Sequence, residues 1–437
     1  MKIALTRGNF GSLVAFAVTL VVLSRWLPTT LLADEHVHWP QALSFAQGVW
    51  DVSPWLSTWP TMNAMVSLPL RFTANRELWM GRAVISVTAC VAFIGYLKLL
   101  YAIHGDALRS TNAICGAGLR ALQFFCAPAI LLFTSVIYTD IPALAALVWA
   151  AYAVMSRRRA LLLSAAAMTV AFRQSHIVWF VALMLWHGWL SYREQKMLST
   201  TDSDTHGKFN LKHFVARLWG VFRSDVLFWL AVGALVLLWL AIVKSSGGVA
   251  YGVNTQVGHF VHVAGWGNMC FSMVVALLVF FPIMLTTLAT RRITWSLTQA
   301  LILIGVLTLV AVGFQATLPG NIAPEAQALL RNRLLALLAD PLGRSLMIIL
   351  CVAGLLAWIS SDFSASVKPL RWPLLAFSAL YLLPFGLIEQ RYYIPMFALF
   401  WAARKPQALS IEWVQLGWSL ALSTLLVHHV TYKGKFL

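Results

Sequence analysis

The chain has 437 residues, of which 60% are hydrophobic and 11% are charged, and its formal net charge is +17. Since soluble domains typically carry about 25% charged residues, this composition excludes an ordinary soluble protein. Apolar runs long enough to cross a bilayer recur from end to end and predict an all-α integral membrane fold, one polytopic domain over residues 1–437. The cationic residues fall between these runs, as the positive-inside rule expects, so we predict no nucleic-acid partner.

The first apolar run, at about 9–31, follows Lys2 and Arg7, which predicts a cytoplasmic N-terminus. We interpret the run as a retained helix, because it lacks an obvious small-residue cleavage site and many spans follow it. It leads to an outer loop at 33–80 that is rich in Trp and Pro. Such a loop is typical of short helices that lie at the membrane interface.

Further apolar runs alternate with polar turns along the rest of the chain. The most polar stretch, 191–225, is predicted to be a basic cytoplasmic loop. The total is about 13 transmembrane helices. The later spans with clear bounds are 82–104, 121–137, 160–172, 226–243, 268–289, 296–314, 344–360, 373–387 and 411–428.

This threading places polar side chains from distant segments on the outer face of the membrane. Charged groups close to the hydrocarbon are costly and usually functional. The candidates, grouped by segment, are Asp34, Glu35 and His38; Tyr138 and Asp140; Arg173, Gln174 and His176; His259 and His262; and Glu389, Arg391 and Tyr393.

Each group also has a structural interpretation. Asp34 and Glu35 could solvate a helix end, and Asp140 could be a helix N-cap. Glu389 and Arg391 could pair with each other. The side that all the groups share favours a functional role over these interpretations.

We predict no metal site. His259 and His262 have a spacing that could place two ligands on one helix face, but a third ligand is not apparent. We therefore predict no cofactor. A divalent ion between Asp34, Glu35 and a phosphate is the open alternative.

These residue types suit one kind of chemistry. A carboxylate can take the proton of a sugar hydroxyl as a glycosidic bond forms. The planar fork of arginine suits a phosphate, and neutralising a leaving phosphate stabilises the developing charge. The inventory favours a transferase that takes a sugar from a lipid phosphate at the membrane surface.

Five ordered segments carry a family resemblance. They are DEHVHWPQALSFAQGVWDVSPWLSTWP, VIYTDIPAL, FRQSHIVW, GHFVHV and LIEQRYYIPMF, and they extend from residue 34 to about residue 396. Together they resemble the dolichyl-phosphate-glucose-dependent α-1,2-glucosyltransferase family of asparagine-linked glycosylation, which has the GT-C fold. Frequent Ala, Leu, Trp and Arg favour a bacterial relative.

The resemblance implies a function and residue roles. A hexose, glucose in the family, would pass with inversion from a polyprenyl-phosphate donor to a glycan or lipid-linked acceptor. Asp34 is the expected general base, with Glu35 second, and Arg173 and Arg391 would hold the donor phosphate. The remaining candidates would shape the sugar and acceptor site. The site would face the periplasm from a bacterial inner membrane, or the lumen from the endoplasmic reticulum membrane.

Two other functions are open at this stage. A secondary transporter or lipid flippase would need ionisable residues in the middle of spans, whereas these charges gather at span ends. A non-catalytic relative could bind lipid or a partner enzyme, but the retained acid pair argues against it.

Overall fold

Helices form nearly all of the regular structure. The computed structural model describes residues 7–73, 76–105, 116–199, 211–245, 266–290, 305, 340–385 and 388–433, and these contain no β-strand, which confirms the all-α prediction for that part. The helices up to the middle of the chain are α1 (Arg7–Trp26), α2 (Glu35–Ala46), α3 (Thr61–Leu70), α4 (Leu78–His104), α5 (Ala117–Phe125), α6 (Pro128–Leu131), α7 (Asp140–Met155), α8 (Arg159–Phe172) and α9 (Ile177–Ser199).

The second half continues in the same way. Its helices are α10 (Leu211–Ser224), α11 (Val226–Ser245), α12 (Trp266–Val279), α13 (Phe281–Thr290), α14 (Pro341–Ser360), α15 (Arg371–Leu382), α16 (Ile394–Ala403) and α17 (Leu409–Lys433). Short 3-10 helices lie at Leu132–Ser135, Gln174–His176, Lys368–Leu370 and Gln390–Tyr393. The segment 33–80 contains the short helices α2 and α3 and the start of α4, while its position at the membrane interface stays a prediction. The segment 191–225 contains the end of α9 and all of α10.

Four described helices, α1, α4, α11 and α14, are long and apolar enough to cross a membrane. The number becomes six if each of two bent helix pairs forms one span. The shorter apolar helices α7 and α8 add to the membrane-like part. The total of about 13 spans stays a prediction. Of the span expected at 296–314, the structure describes residue 305 alone.

Two expected spans are broken. The segment expected at 121–137 consists of α5 and a second helical piece from Pro128, and the two are bent by 71°. The segment expected at 268–289 bends by 93° between α12 and α13, just before Pro282. Proline lacks a backbone N–H and clashes with the preceding turn, so a helix tends to end or kink before it.

Helix α7 is the centre of the bundle. Nearly all of its residues are buried, and its most extensive contacts are with α4 and α8. A helix that is apolar on every side is stable only when neighbouring helices or lipid surround it. Because α7 begins at Asp140, this buried helix holds the Tyr138–Asp140 segment rigidly at one end of the bundle.

A buried ionic network joins α5, α16 and α17 at the opposite end. The carboxylate of Glu412 accepts two hydrogen bonds from Arg404, both at 2.8 Å, one from Gln123 at 2.9 Å and one from the backbone of Gln407 at 2.8 Å. The guanidinium of Arg120 donates to the carbonyl of Arg404 at 2.7 Å. The sequence indicated that Arg120 and Arg404 were ordinary basic turn residues, whereas both are buried.

Candidate functional site

A polar cavity of about 250 Å³ lies at the end of the bundle where the loop before α2, the α8–α9 turn and the α15–α16 turn meet. It brings together three of the residues that the sequence singled out for catalysis: Asp34, Arg173 and Arg391. Its other polar or aromatic lining residues are His38, Ser57, Thr58, Thr139, Gln174, Ser175, Trp239, Tyr381, Phe385 and Tyr392.

The carboxylate of Asp34 reaches this cavity. Its Oδ2 accepts a hydrogen bond from Nη1 of Arg391 at 2.5 Å, and its side chain remains 33% exposed. Its backbone N–H donates to the hydroxyl of Tyr138 at 3.0 Å. Burial alone would raise the pKa of the Asp34 carboxyl, but the charge and hydrogen bond of Arg391 hold that pKa below its ordinary value. Asp34 is therefore ionised at neutral pH.

Glu35 has a different environment from its neighbour. Its side chain is fully buried and is not part of the cavity lining. Both carboxylate oxygens accept from Arg82, with Nε to Oε1 at 2.9 Å and Nη2 to Oε2 at 2.5 Å. The backbone N–H groups of Leu32 and Ile137 add bonds of 2.9 and 3.0 Å. The carboxylate is thus fully occupied by protein donors.

The two candidate phosphate-binding arginines line the same cavity and are both paired with acids. Arg173 pairs with Asp140, whose second oxygen, Oδ2, has no partner in the described part of the chain. Arg391 pairs with Glu389 as well as with Asp34. Asp140 is the first residue of α7 and not its N-cap, so its carboxylate serves Arg173 and not the helix end.

Aromatic rings hold both guanidiniums in place. Arg173 lies 4.9 Å from the ring centre of Tyr392, and Arg391 lies 5.1 Å from that of Tyr138. A guanidinium stacked on a ring keeps its planar fork pre-oriented, which favours binding of a phosphate in a defined geometry.

Three other predicted residues occupy different positions. His38 lines the cavity, and its ring contacts Asn63 at 3.3 Å. Burial lowers the pKa of this histidine, so its ring is neutral at pH 7. Gln174 also lines the cavity and, with its amide turned to meet donors, accepts from Trp59. His176 is buried beside Tyr381, with ring centres 5.4 Å apart, and does not line the cavity.

Those of the remaining predicted residues that the structure describes lie outside the lining. The hydroxyl of Tyr393 donates to Asn268 at 3.1 Å, and the neighbouring Tyr392 lines the cavity instead. Glu389 pairs with Arg391, and the ring of Tyr138 stacks on the same guanidinium. His259 and His262 lie outside the described residues.

Arg82 and several lining residues, including Thr58, Trp239 and Tyr392, were not predicted from the sequence. Arg82 had a signal, because it lies at the predicted outer end of a span, where the positive-inside rule places few cations. The other residues had no distinguishing signal among the many Trp, Tyr and Thr residues of the chain.

A second, apolar cavity of about 540 Å³ adjoins the first along α9 and α15. On α9 the polar cavity includes Val178 and the apolar one runs from Trp179 to Trp189, which corresponds to about 15 Å of helix at 1.5 Å per residue. Leu185 and Trp189 in its lining are 58% and 44% exposed, so this groove opens to the outside of the bundle.

The fold is that of a helical membrane protein in which acids and arginines from distant segments meet in one polar cavity. The model of the DIE2/ALG10 family matches residues 29–318, more than half of the chain. The chain therefore belongs to the DIE2/ALG10 family of α-1,2-glucosyltransferases and is an integral membrane glycosyltransferase of the lipid-linked oligosaccharide pathway.

Family members act with a lipid-linked sugar donor and an oligosaccharide acceptor. Neither the curated proteins nor the solved structures give a significant match to this chain. Because the family consists of glycosyltransferases, the transporter or flippase alternative has no support.

Proposed function

We infer that the protein transfers glucose from a polyprenyl-phosphate donor to a glycan or lipid-linked acceptor, with inversion, at the outer or lumenal face of its membrane. The observation that carries this proposal is that Asp34, Arg173 and Arg391 line one cavity. The same proposal includes the GT-C fold and about 13 spans.

The reaction needs one base and one site for the leaving group. Asp34 takes the proton of the acceptor hydroxyl, and the hydroxyl oxygen attacks C1 of the hexose from the face opposite the phosphate. The bond between C1 and the phosphate oxygen breaks, and polyprenyl phosphate leaves with both bonding electrons. Arg173 and Arg391 hold the leaving phosphate and stabilise its charge. A β-linked donor thereby gives an α-linked product.

Donor binding would also activate the base. In the structure Arg391 is bound to Asp34, which keeps the carboxylate ionised but weakly basic. A donor phosphate competes for the same guanidinium. When Arg391 turns to the phosphate, the burial of Asp34 raises its pKa, and the carboxylate becomes a better proton acceptor. The ion pair therefore links proton transfer to an occupied donor site.

The lipid chain has a place beside this site. An isoprenoid chain is apolar and flexible, and the groove along α9 and α15 is lined almost entirely by apolar side chains, from Leu183 and Trp186 to Phe377. Its lining begins at Trp179, next to Val178 in the lining of the polar cavity, so on this proposal a phosphate in the cavity and a lipid in the groove belong to one donor molecule.

The direct test is transfer by the purified protein in phospholipid vesicles. We expect glucose to move from polyprenyl-phosphate glucose to a lipid-linked oligosaccharide, as measured by mass spectrometry of the product. Nuclear magnetic resonance of that product should give an α linkage from a β-linked donor. Product formation with free nucleotide-glucose and none with the lipid donor would contradict the proposal.

Filling the groove should weaken the binding of long donors. Ala182 lines the groove, so Ala182→Trp should raise KM about tenfold for a long-chain donor, through lost apolar contact worth about 1.4 kcal/mol. A donor with a single methyl group in place of the polyprenyl chain should be little affected. The matched control is Val181→Trp on the neighbouring, 38% exposed position, which does not line the groove. Equal effects on long and short donors would rule out a lipid groove here.

A further inference from the structure

The segment that carries Asp34 is held by one buried ion pair, Arg82–Glu35. On the proposed function, in which Asp34 is the base, we propose that Arg82 and Glu35 are positioning residues that fix the Leu27–Asp34 segment and so aim the Asp34 carboxylate at the acceptor hydroxyl. Glu35 takes no proton in this scheme.

Arg82 binds the segment at three points. Besides both oxygens of Glu35, its guanidinium donates to the carbonyl of Pro28 at 2.6 Å and to that of Thr30 at 3.0 Å. The arginine projects from the second turn of α4, one of the long helices that pack on the buried α7. The loop between α1 and α2 is therefore attached to the rigid centre of the bundle.

Glu35 extends the same attachment to the other side of the site. It accepts from the N–H of Leu32 within the loop and from the N–H of Ile137, the residue before Tyr138. Tyr138 in turn accepts from the N–H of Asp34. One carboxylate thus fixes both the base and the residue that supports it.

The backbone before the base needs such restraint. Ala33 has φ of 45°, in the left-handed region that residues with a side chain rarely adopt. A residue in such a conformation persists only where its surroundings over-determine it. The bonds at Leu32, Asp34 and Glu35 surround Ala33, so loss of the ion pair should release it.

Glu35 itself is poorly placed to be the base. It is fully buried, it accepts four hydrogen bonds, and it does not line the cavity. A general base must reach the proton it removes within hydrogen-bond distance or through one water.

The experiment compares Glu35→Gln with Glu412→Gln, each measured in the full-length protein in vesicles. Glu412 is a matched control, because it is a buried carboxylate with four donors, paired with Arg404, at the opposite end of the bundle. Both variants should lower thermal stability. We expect Glu35→Gln to lower kcat by about 10–100-fold with donor KM within about threefold, since small misplacements of a reacting group have effects of this size. Glu412→Gln should leave kcat near the wild-type value.

Two results would overturn the proposal. One is a kcat of Glu35→Gln equal to that of Glu412→Gln, which would make the pair merely structural. The other is a complete loss of activity in Glu35→Gln while Asp34→Asn stays active, which would make Glu35 the base.

A second measurement does not depend on catalysis. Hydrogen exchange of residues 27–34 should become faster in Glu35→Gln than in wild type or Glu412→Gln. Unchanged exchange in this loop refutes the positioning role, even if the protein transfers no sugar. If the wild-type protein transfers no sugar but exchange is still faster in Glu35→Gln, the positioning role stands and only the proposed function is contradicted.

Discussion

Asp34→Asn should reduce glucosyl transfer by about 10²–10⁴-fold, the range that a general base contributes. An amide keeps the size of the side chain and can still meet Arg391, but it cannot accept the proton of the acceptor hydroxyl. Donor binding should not weaken, because the substitution removes the carboxylate that competes with the donor phosphate for Arg391. The measurement is kcat in vesicles, together with direct binding of the lipid donor.

The control is the same substitution at Asp51, an exposed carboxyl between α2 and α3. Asp51→Asn should have wild-type activity. If Asp34→Asn retained wild-type kcat, the base would have to be another group, and the proposed mechanism would be wrong.

Arg391→Gln should impair both donor binding and chemistry. Loss of one guanidinium that holds a phosphate removes a charge-assisted contact, so we expect donor KM to rise and kcat/KM to fall by at least about 100-fold. Arg371→Gln is a suitable control, because Arg371 begins α15 at the end away from the cavity and binds the carbonyls of Ile359 and Ser361. Unchanged donor KM in Arg391→Gln would contradict a phosphate site.

The pH profile of kcat/KM, which reports the free enzyme, should also change in Arg391→Gln. The groups around Asp34 are Arg391, His38 and Arg173, and Arg391 is the main one that holds its pKa below the ordinary value against the effect of burial. Without Arg391 the pKa rises. Since Asp34 acts as the carboxylate, activity should then be lost at a higher pH as the medium is acidified.

The sequence predicted which segments meet but not how their side chains pair. Charge and hydropathy placed Asp34, Arg173 and Arg391 on one side of the membrane, and the structure brings them into one cavity. Side chains of adjacent residues point in different directions, so the sequence could not tell that Asp34 faces the cavity and Glu35 faces Arg82. The same limit applies to Tyr392 and Tyr393, which a short 3-10 helix separates into cavity and core.

The burial of charged side chains was the other property that could not be predicted from the sequence. A sequence indicates where arginines lie relative to apolar runs, and Arg120 and Arg404 follow that pattern for solvated turns. Whether neighbouring carbonyls and a carboxylate are close enough to satisfy a buried guanidinium depends on tertiary packing, here of α5, α16 and α17. The helix breaks near Pro128 and Pro282 are easier to predict from the sequence, because proline acts through local geometry.

The lateral opening of the groove along α9 and α15 has a kinetic consequence under the proposed function. A donor that enters through this side arrives by diffusion in the plane of the bilayer. The quantity that saturates the enzyme is then the mole fraction of donor among the lipids, and not its amount per volume of buffer. Adding inert phospholipid at constant total donor should slow transfer, as dilution does for a reaction in two dimensions.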